Sequence, residues 1–220
     1  MTDIMFKRVF IGLIGLGVAA AGLTSCSTTP LPTKPSSTTK ASSATPDLKI
    51  TPIPKDSLAL PDRSAFYQKD KRWASEILGK SSDTMGSDGC LVTATSMALA
   101  NLGFETNPSD LNARLTKVDG FTSKGWLIWD GIRKVTEGRA EAQYYDEVSD
   151  DIINSCMRSG DYPLVQFYLK NGRSHWALVL NHDAKGYHMR DPLRESTDPL
   201  IFPRTSEAFK AVRCVGLVDV

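Results

Sequence analysis

Between Phe66 and Val218 the pattern of apolar and polar positions changes period partway along the chain. Phe66-Tyr67-Gln68 and Arg72-Trp73-Ala74 form an amphipathic leading segment, and the polar, glycine-containing stretch Ser81 to Gly89 reads as a loop. Cys90 to Leu102 is small and apolar almost all round and is followed by Gly103, the pattern of a buried helix with a glycine stop. Asn107-Pro108-Ser109-Asp110 supplies an N-cap, a proline at the first helical position and a carboxylate in the first turn, so a second helix runs to about Lys117. Ile128, Ile132 and Val135 space as one face of a third helix, ended near Gly138. Ala140 to Tyr145 suits a strand. Asp150 and Asp151 open a further helix whose buried side is Ile152, Ile153, Cys156 and Met157. Beyond it the period falls to that of strands: Leu164 to Leu169, Trp176 to Leu180, Tyr187 to Arg190 and Val212 to Val218. Helices followed by an antiparallel sheet predict an α+β fold. Trp126, Trp129, Tyr144 and Tyr145 are expected in the core, with some available to line a cleft.

The first 60 residues follow a different logic. Lys7 and Arg8 precede an apolar run, Val9 to Gly22, of signal-peptide length and short for a membrane-spanning helix. The run ends in Leu23-Thr24-Ser25-Cys26, which resembles a bacterial lipoprotein signal. That resemblance implies lipidation of Cys26 as the first mature residue, and several acyl chains anchor stably where one does not. Ser27 after the cysteine, rather than aspartate, favours the outer membrane by analogy with Gram-negative lipoproteins. Ser27 to Pro54 is rich in Ser, Thr, Pro and Lys, has too few apolar residues to offset the entropy of ordering, and reads as a disordered tether. The organisation expected is a signal peptide at 1–25, a lipidated cysteine and tether at 26–60, and one folded domain at 61–220. About 160 residues are enough for one hydrophobic core. The first 25 residues hold Asp3, Lys7 and Arg8, so 26 basic and 25 acidic side chains become 24 of each in the remainder. That balance gives no electrostatic case for a nucleic-acid partner, which requires a basic surface.

Three residues propose chemistry. Cys90 opens the first helix, where backbone N–H groups favour a thiolate over a thiol of ordinary pKa ~8.5. Gly89 beside it would leave room for a carbonyl, and the Cys90 N–H could donate to an oxyanion. His175 begins one strand-like run and Asp191 closes the next. If His182 to Gly186 is a turn and Leu180 faces Tyr187 across it, Asp191 falls within one residue of facing His175. A slip of one residue would send the two to opposite faces. A thiol, an imidazole and a carboxylate in this arrangement make a nucleophile, a base and an orienting group.

The stretches YQKDKRWASEILG, GCLVTATSMALANLGFETNPSDLNARL, PLVQFYL and SHWALVLNHDAKGYHMRDP together resemble the papain superfamily. They are most similar to bacterial domains related to bacteriocin-processing, double-glycine leader peptidases, and the likeness spans roughly Phe66 to Val218. It implies a papain-like fold and a cysteine peptidase with Cys90 as nucleophile, His175 as general base and acid, and Asp191 orienting the imidazole. It also implies an upstream glutamine that donates to the oxyanion, and Gln68 is the one glutamine before Cys90. The processing peptidases carry that glutamine closer to the cysteine and read Asp-Cys-Gly, where this chain reads Asp88-Gly89-Cys90.

Of the remaining cysteines, Cys156 and Cys214 are either buried thiols or partners in one disulfide; both alternatives leave Cys90 free. His182 and His188 lack the spacing of a zinc site with His175, so neither metal nor other cofactor is expected. The function expected is a membrane-tethered, extracytoplasmic cysteine peptidase or amidase facing periplasm or exterior. Its partners would be a peptide or protein substrate, with peptidoglycan peptides among the candidates, and the membrane itself. The alternative is a binding lipoprotein of the same fold that is non-catalytic or transfers acyl groups.

Overall fold

The computed structural model describes residues 58–202 and 206–218; the signal run, Cys26 and the tether through residue 57 lie outside the described residues. Thr84 begins the first helix, α1 (Met85–Asp88): its hydroxyl accepts from the Ser87 N–H, and the Ser87 hydroxyl accepts from the Thr84 N–H. This reciprocal cap converts the end of the expected loop at Ser81–Gly89 into a helical turn. The capping signal is obscured in the sequence because serine, rather than Glu or Gln, stands at its third position.

Gly89 joins α1 to α2 (Cys90–Asn101), which buries Val92 through Leu99 and ends at Leu102, with Gly103 at a φ of 96°. The next helix, α3 (Pro108–Lys117), starts as expected, the Asn107 side chain accepting from the Asp110 N–H. Only Asp130–Val135 forms α4. Ile128 precedes it, its N–H given to the Gly120 carbonyl at 2.8 Å, so the loop claims the first residue of the apolar face. Ser149 caps α5 (Asp150–Arg158), which buries Ile153, Cys156 and Met157.

Six strands form one antiparallel sheet in the order β1-β6-β2-β3-β4-β5. They are β1 (Ala140–Tyr144), β2 (Tyr162–Tyr168), β3 (Ser174–Asp183), β4 (Gly186–Arg190), β5 (Leu200–Phe202) and β6 (Ala211–Leu217). The fold is α+β, with N-terminal helices packed on the sheet and α2 lying against β3. Three residues are too few for a period, which is why β5 has no signal in the sequence. Cys156 of α5 and Cys214 of β6 are joined by a disulfide with Cα atoms 5.9 Å apart and a sequence separation of 58. Closing a loop of that length stabilises the fold by roughly 4 kcal/mol through lost unfolded-state entropy.

The β3–β4 hairpin differs from the expected register. Asp183 pairs with Gly186 and His182 with Tyr187, so the turn is Ala184-Lys185 and Leu180 does not face Tyr187. Asp183 Oδ1 accepts from the Lys185 N–H and Gly186 sits at a φ of 115°, which closes the turn tightly. Asn181 pairs with His188, but Val179 pairs with Met189, leaving Leu180 as a bulge.

The aromatic expectation fails in two places. Trp126 is 65% and Tyr144 58% exposed, because one lies in the turn after Thr122 and the other ends an edge strand. Trp129 is half-buried, edge-on to Tyr144 and Trp176, and Tyr145 is partly buried against the core. The core also takes in Leu60, ahead of the expected domain start at 61.

Candidate active site

Cys90 is the first residue of α2 and the free cysteine among the described residues. Its position follows from the break at Gly89. The Gly89 N–H bonds to the Met85 carbonyl and the Gly89 carbonyl to the Thr93 N–H, both at 2.9 Å. A Cβ at residue 89 would strike the Met85 carbonyl. Glycine is therefore required by the packing of one helical turn on the next. The first N–H groups of α2 have no carbonyl partner within their own helix, which gives that end a partial positive charge.

His175 is the second residue of β3 and only 2% exposed. Its Nε2 lies 2.7 Å from Asp191 Oδ1. Phe167, its partner across β2 and β3, stands edge-on with ring centroids 5.4 Å apart. With Nε2 engaged, Nδ1 is the nitrogen that remains for Cys90. Burial pulls the imidazole pKa down, but hydrogen bonds to Asp191 and Cys90, with the charge of each, outweigh it and raise the value to about 9. Burial also works against charge on Asp191, yet the bond from His175 and the Leu193 N–H, 2.8 Å from Oδ1, hold its carboxyl below the ordinary range.

Asp191 immediately follows β4. Extending the Leu178–Arg190 pairing by one step puts it across from Ala177, diagonal to His175 and on the same face. The bulge makes this possible. In the register set at the turn, without the extra residue, Asp191 would stand across from Leu178 and project to the face away from His175.

Gln68 is 2% exposed and placed between the two halves of the site. Its backbone N–H bonds to the Pro192 carbonyl at 2.8 Å, and its side-chain Nε2 donates to the Gly86 carbonyl at 3.1 Å. Residues 69–89 thus loop out and return, bringing a glutamine distant in sequence to the N-terminal side of Cys90. One hydrogen of its amide is committed to Gly86. Cys26 is outside the described residues.

The other histidines have separate partners. His182 Nδ1 lies 2.9 Å from Asn154 Oδ1 and its ring stacks on Tyr187; His188 Nε2 lies 3.0 Å from Asp183 Oδ2. A cavity of about 210 Å³ opens beside Asp191, with Phe66, Tyr67, Arg72, Met97 and Arg194 in its walls. Neither Cys90 nor His175 lines it, so it flanks the reacting atoms. Two features have no sequence signal of their own: the Phe167 ring against His175, which needs the β2–β3 register, and the pair Arg173–Asp88, whose guanidinium also bonds to the Ser87 carbonyl and braces α1.

No family model matches the chain, and no curated protein does. Among solved structures it is similar to a C39-like peptidase candidate from Bacillus anthracis, at 14% identity and a TM-score of 0.48, with 74% of this chain and 98% of that one covered.

Proposed function

We propose that the chain is a papain-like thiol hydrolase that cleaves a peptide or other amide bond through an acyl-enzyme. The observation that carries this reading is the contact chain from Cys90 at the start of α2, through His175, to Asp191. A buried imidazole with a carboxylate on one nitrogen and a thiol at the other is suited to hold a proton taken from sulfur.

The Cys90 sulfur attacks the amide carbonyl carbon, and the carbonyl electron pair moves to oxygen. The Cys90 N–H and the second hydrogen on Gln68 Nε2 stabilise that oxyanion. As the C–N bond breaks, His175 gives its proton to the leaving amine, and a thioester to Cys90 remains. Water then attacks the thioester, His175 takes its proton, and the C–S bond breaks to release a carboxylic acid and return the sulfur. An amine in place of water would give acyl transfer by the same steps.

The signal-like N-terminus supports a lipid anchor at Cys26 and a tether that holds this domain at a bacterial membrane surface, the outer membrane favoured. Peptides and proteins of the envelope, including peptidoglycan peptides, are then the substrates within reach. The Cys156–Cys214 disulfide fits an oxidising compartment.

Iodoacetamide labelling between pH 6 and 7 tests the chemistry. Cys90 should react at least about tenfold faster in the wild type than in His175→Ala, since a free thiol of ordinary pKa is mostly protonated there. Cleavage of envelope peptides and cross-linked peptidoglycan fragments should be lost in Cys90→Ala. Slow labelling that does not respond to His175→Ala would instead favour a binding protein.

A further inference from the structure

Asp191 sits in a loop, and the local bonds from Leu193 and Arg194 N–H groups to it do not explain why that loop meets His175. The residue before it does. Arg190 is 9% exposed, and its guanidinium joins three segments. Nε and Nη2 take both oxygens of Asp62, at 3.0 and 2.5 Å, across 128 residues of sequence. Nη1 donates to the carbonyls of Ser196 and Thr197 on the far side of the Asp191 loop. A planar fork satisfied on both edges has little rotational freedom, so it fixes the end of β4 where Asp191 begins.

The segment that carries Asp62 also holds the bulge. The Leu60 N–H donates to the carbonyl of Leu180, the extra residue in β3, at 2.7 Å. Tyr162 Oη donates to the Pro61 carbonyl at 2.8 Å, and the Arg63 N–H to Asn101 Oδ1 at 2.8 Å. Residues 60–63 are therefore a strap laid from α2 across β2 to the hairpin.

We propose that Asp62 is a positioning residue for the catalytic pair: through Arg190, and with Leu60 on the bulge, the strap sets the orientation of Asp191 toward His175. This rests on the catalytic reading above.

The test uses the full-length protein. The His175 ring titration is followed by NMR, and Cys90 alkylation by iodoacetamide is followed across pH, in wild type, Asp62→Asn, Asp62→Glu, Asp191→Asn and Asp119→Asn. Asp62→Asn should lower the His175 midpoint by about one unit and slow alkylation at pH 7 by about tenfold, the equivalent of one unit. Asp62→Glu should restore much of both. Asp119→Asn, at an exposed carboxylate paired with Lys80, should superimpose on wild type. Wild-type titration and alkylation in a folded Asp62→Asn protein would overturn the proposal, leaving Asp62 a purely structural role. If Asp62→Asn does not fold, Arg190→Lys keeps the charge and removes the fork; the same shifts support the proposal and their absence overturns it. If Asp191→Asn itself leaves both readouts unchanged, the catalytic reading fails and the proposal falls with it.

Discussion

Cys90 is placed by caps and backbone packing within six residues of itself, on a turn tied to Ala74, Glu76 and Gln68 a little further back, whereas Asp191 is held by residues 60, 62, 68 and 175 from three distant parts of the chain. On the cysteine side, Thr84 and Ser87 cap α1, Gly89 packs on the Met85 backbone, and α2 begins at once. On the carboxylate side, a bulge must reverse the facing of β3, Leu60 must satisfy the bulged carbonyl, and Arg190 must find Asp62. The difference teaches where each half can fail. The nucleophile depends on a short-range turn that forms with its own helix. The orienting group depends on the assembly of the sheet and strap, which is established only with the whole fold. His175 meets both halves.

The comparison can be broken most strongly through pH. The folded-state pKa of His175, raised to about 9, lies above its unfolded value, so the native state holds the proton more tightly. The stability this adds is fully present below about pH 6.5 and is lost as pH rises through about 9; a shift of this size is worth on the order of 3 kcal/mol. Urea melts of the wild type should show that decline over this range, and His175→Gln should not. Asp191→Asn should shrink it, since the Asp191 hydrogen bond is foremost among the contacts that raise the pKa. A decline unchanged in His175→Gln would mean that another group titrates.

The local half is tested next. Gly89→Ala forces a methyl against the Met85 carbonyl and should cost about 2 kcal/mol, as overpacking does. Cys90 alkylation should slow while the NMR signature of the His175–Asp191 bond persists. Loss of both together would show that the two halves are not separately built.

The smallest effect is expected at the brace between them. Asp88 and Arg173 are 44% and 59% exposed, so Asp88→Ala should change stability by less than about 0.5 kcal/mol in denaturant melts. A larger loss would mean that α1 needs the β2–β3 loop to form, and that the cysteine side is less local than its hydrogen bonds indicate.

Much of the site is legible in the amino-acid sequence. The small, apolar character of Cys90–Leu102 with a glycine stop identifies the helix, and the apolar runs around His175 and Asp191 identify the hairpin. The register is not legible. The polar stretch His182–Gly186 reads equally as a five-residue turn or as a tight turn flanked by paired residues, and neither reading contains the bulge at Leu180 that brings Asp191 to the face of His175. The short β5 has no period to read. Trp126 and Tyr144 are exposed against expectation because apolar content alone does not show which sheet edge or turn a residue occupies.

What the amino-acid order determined by itself was local: caps, helix starts, the breaker at Gly89 and the types of side chain available for chemistry. These depend on backbone hydrogen bonds and on sterics among neighbours, which are complete within a few residues. The tertiary structure decided the bulge at Leu180, the pairing of Asp62 with Arg190, the return of Gln68 and the disulfide between Cys156 and Cys214. Each of these satisfies a polar group or cross-links side chains across a long separation in the chain. Such partners are chosen by how the sheet, the helices and the strap close on one another, and spacing along the sequence carries no record of that choice.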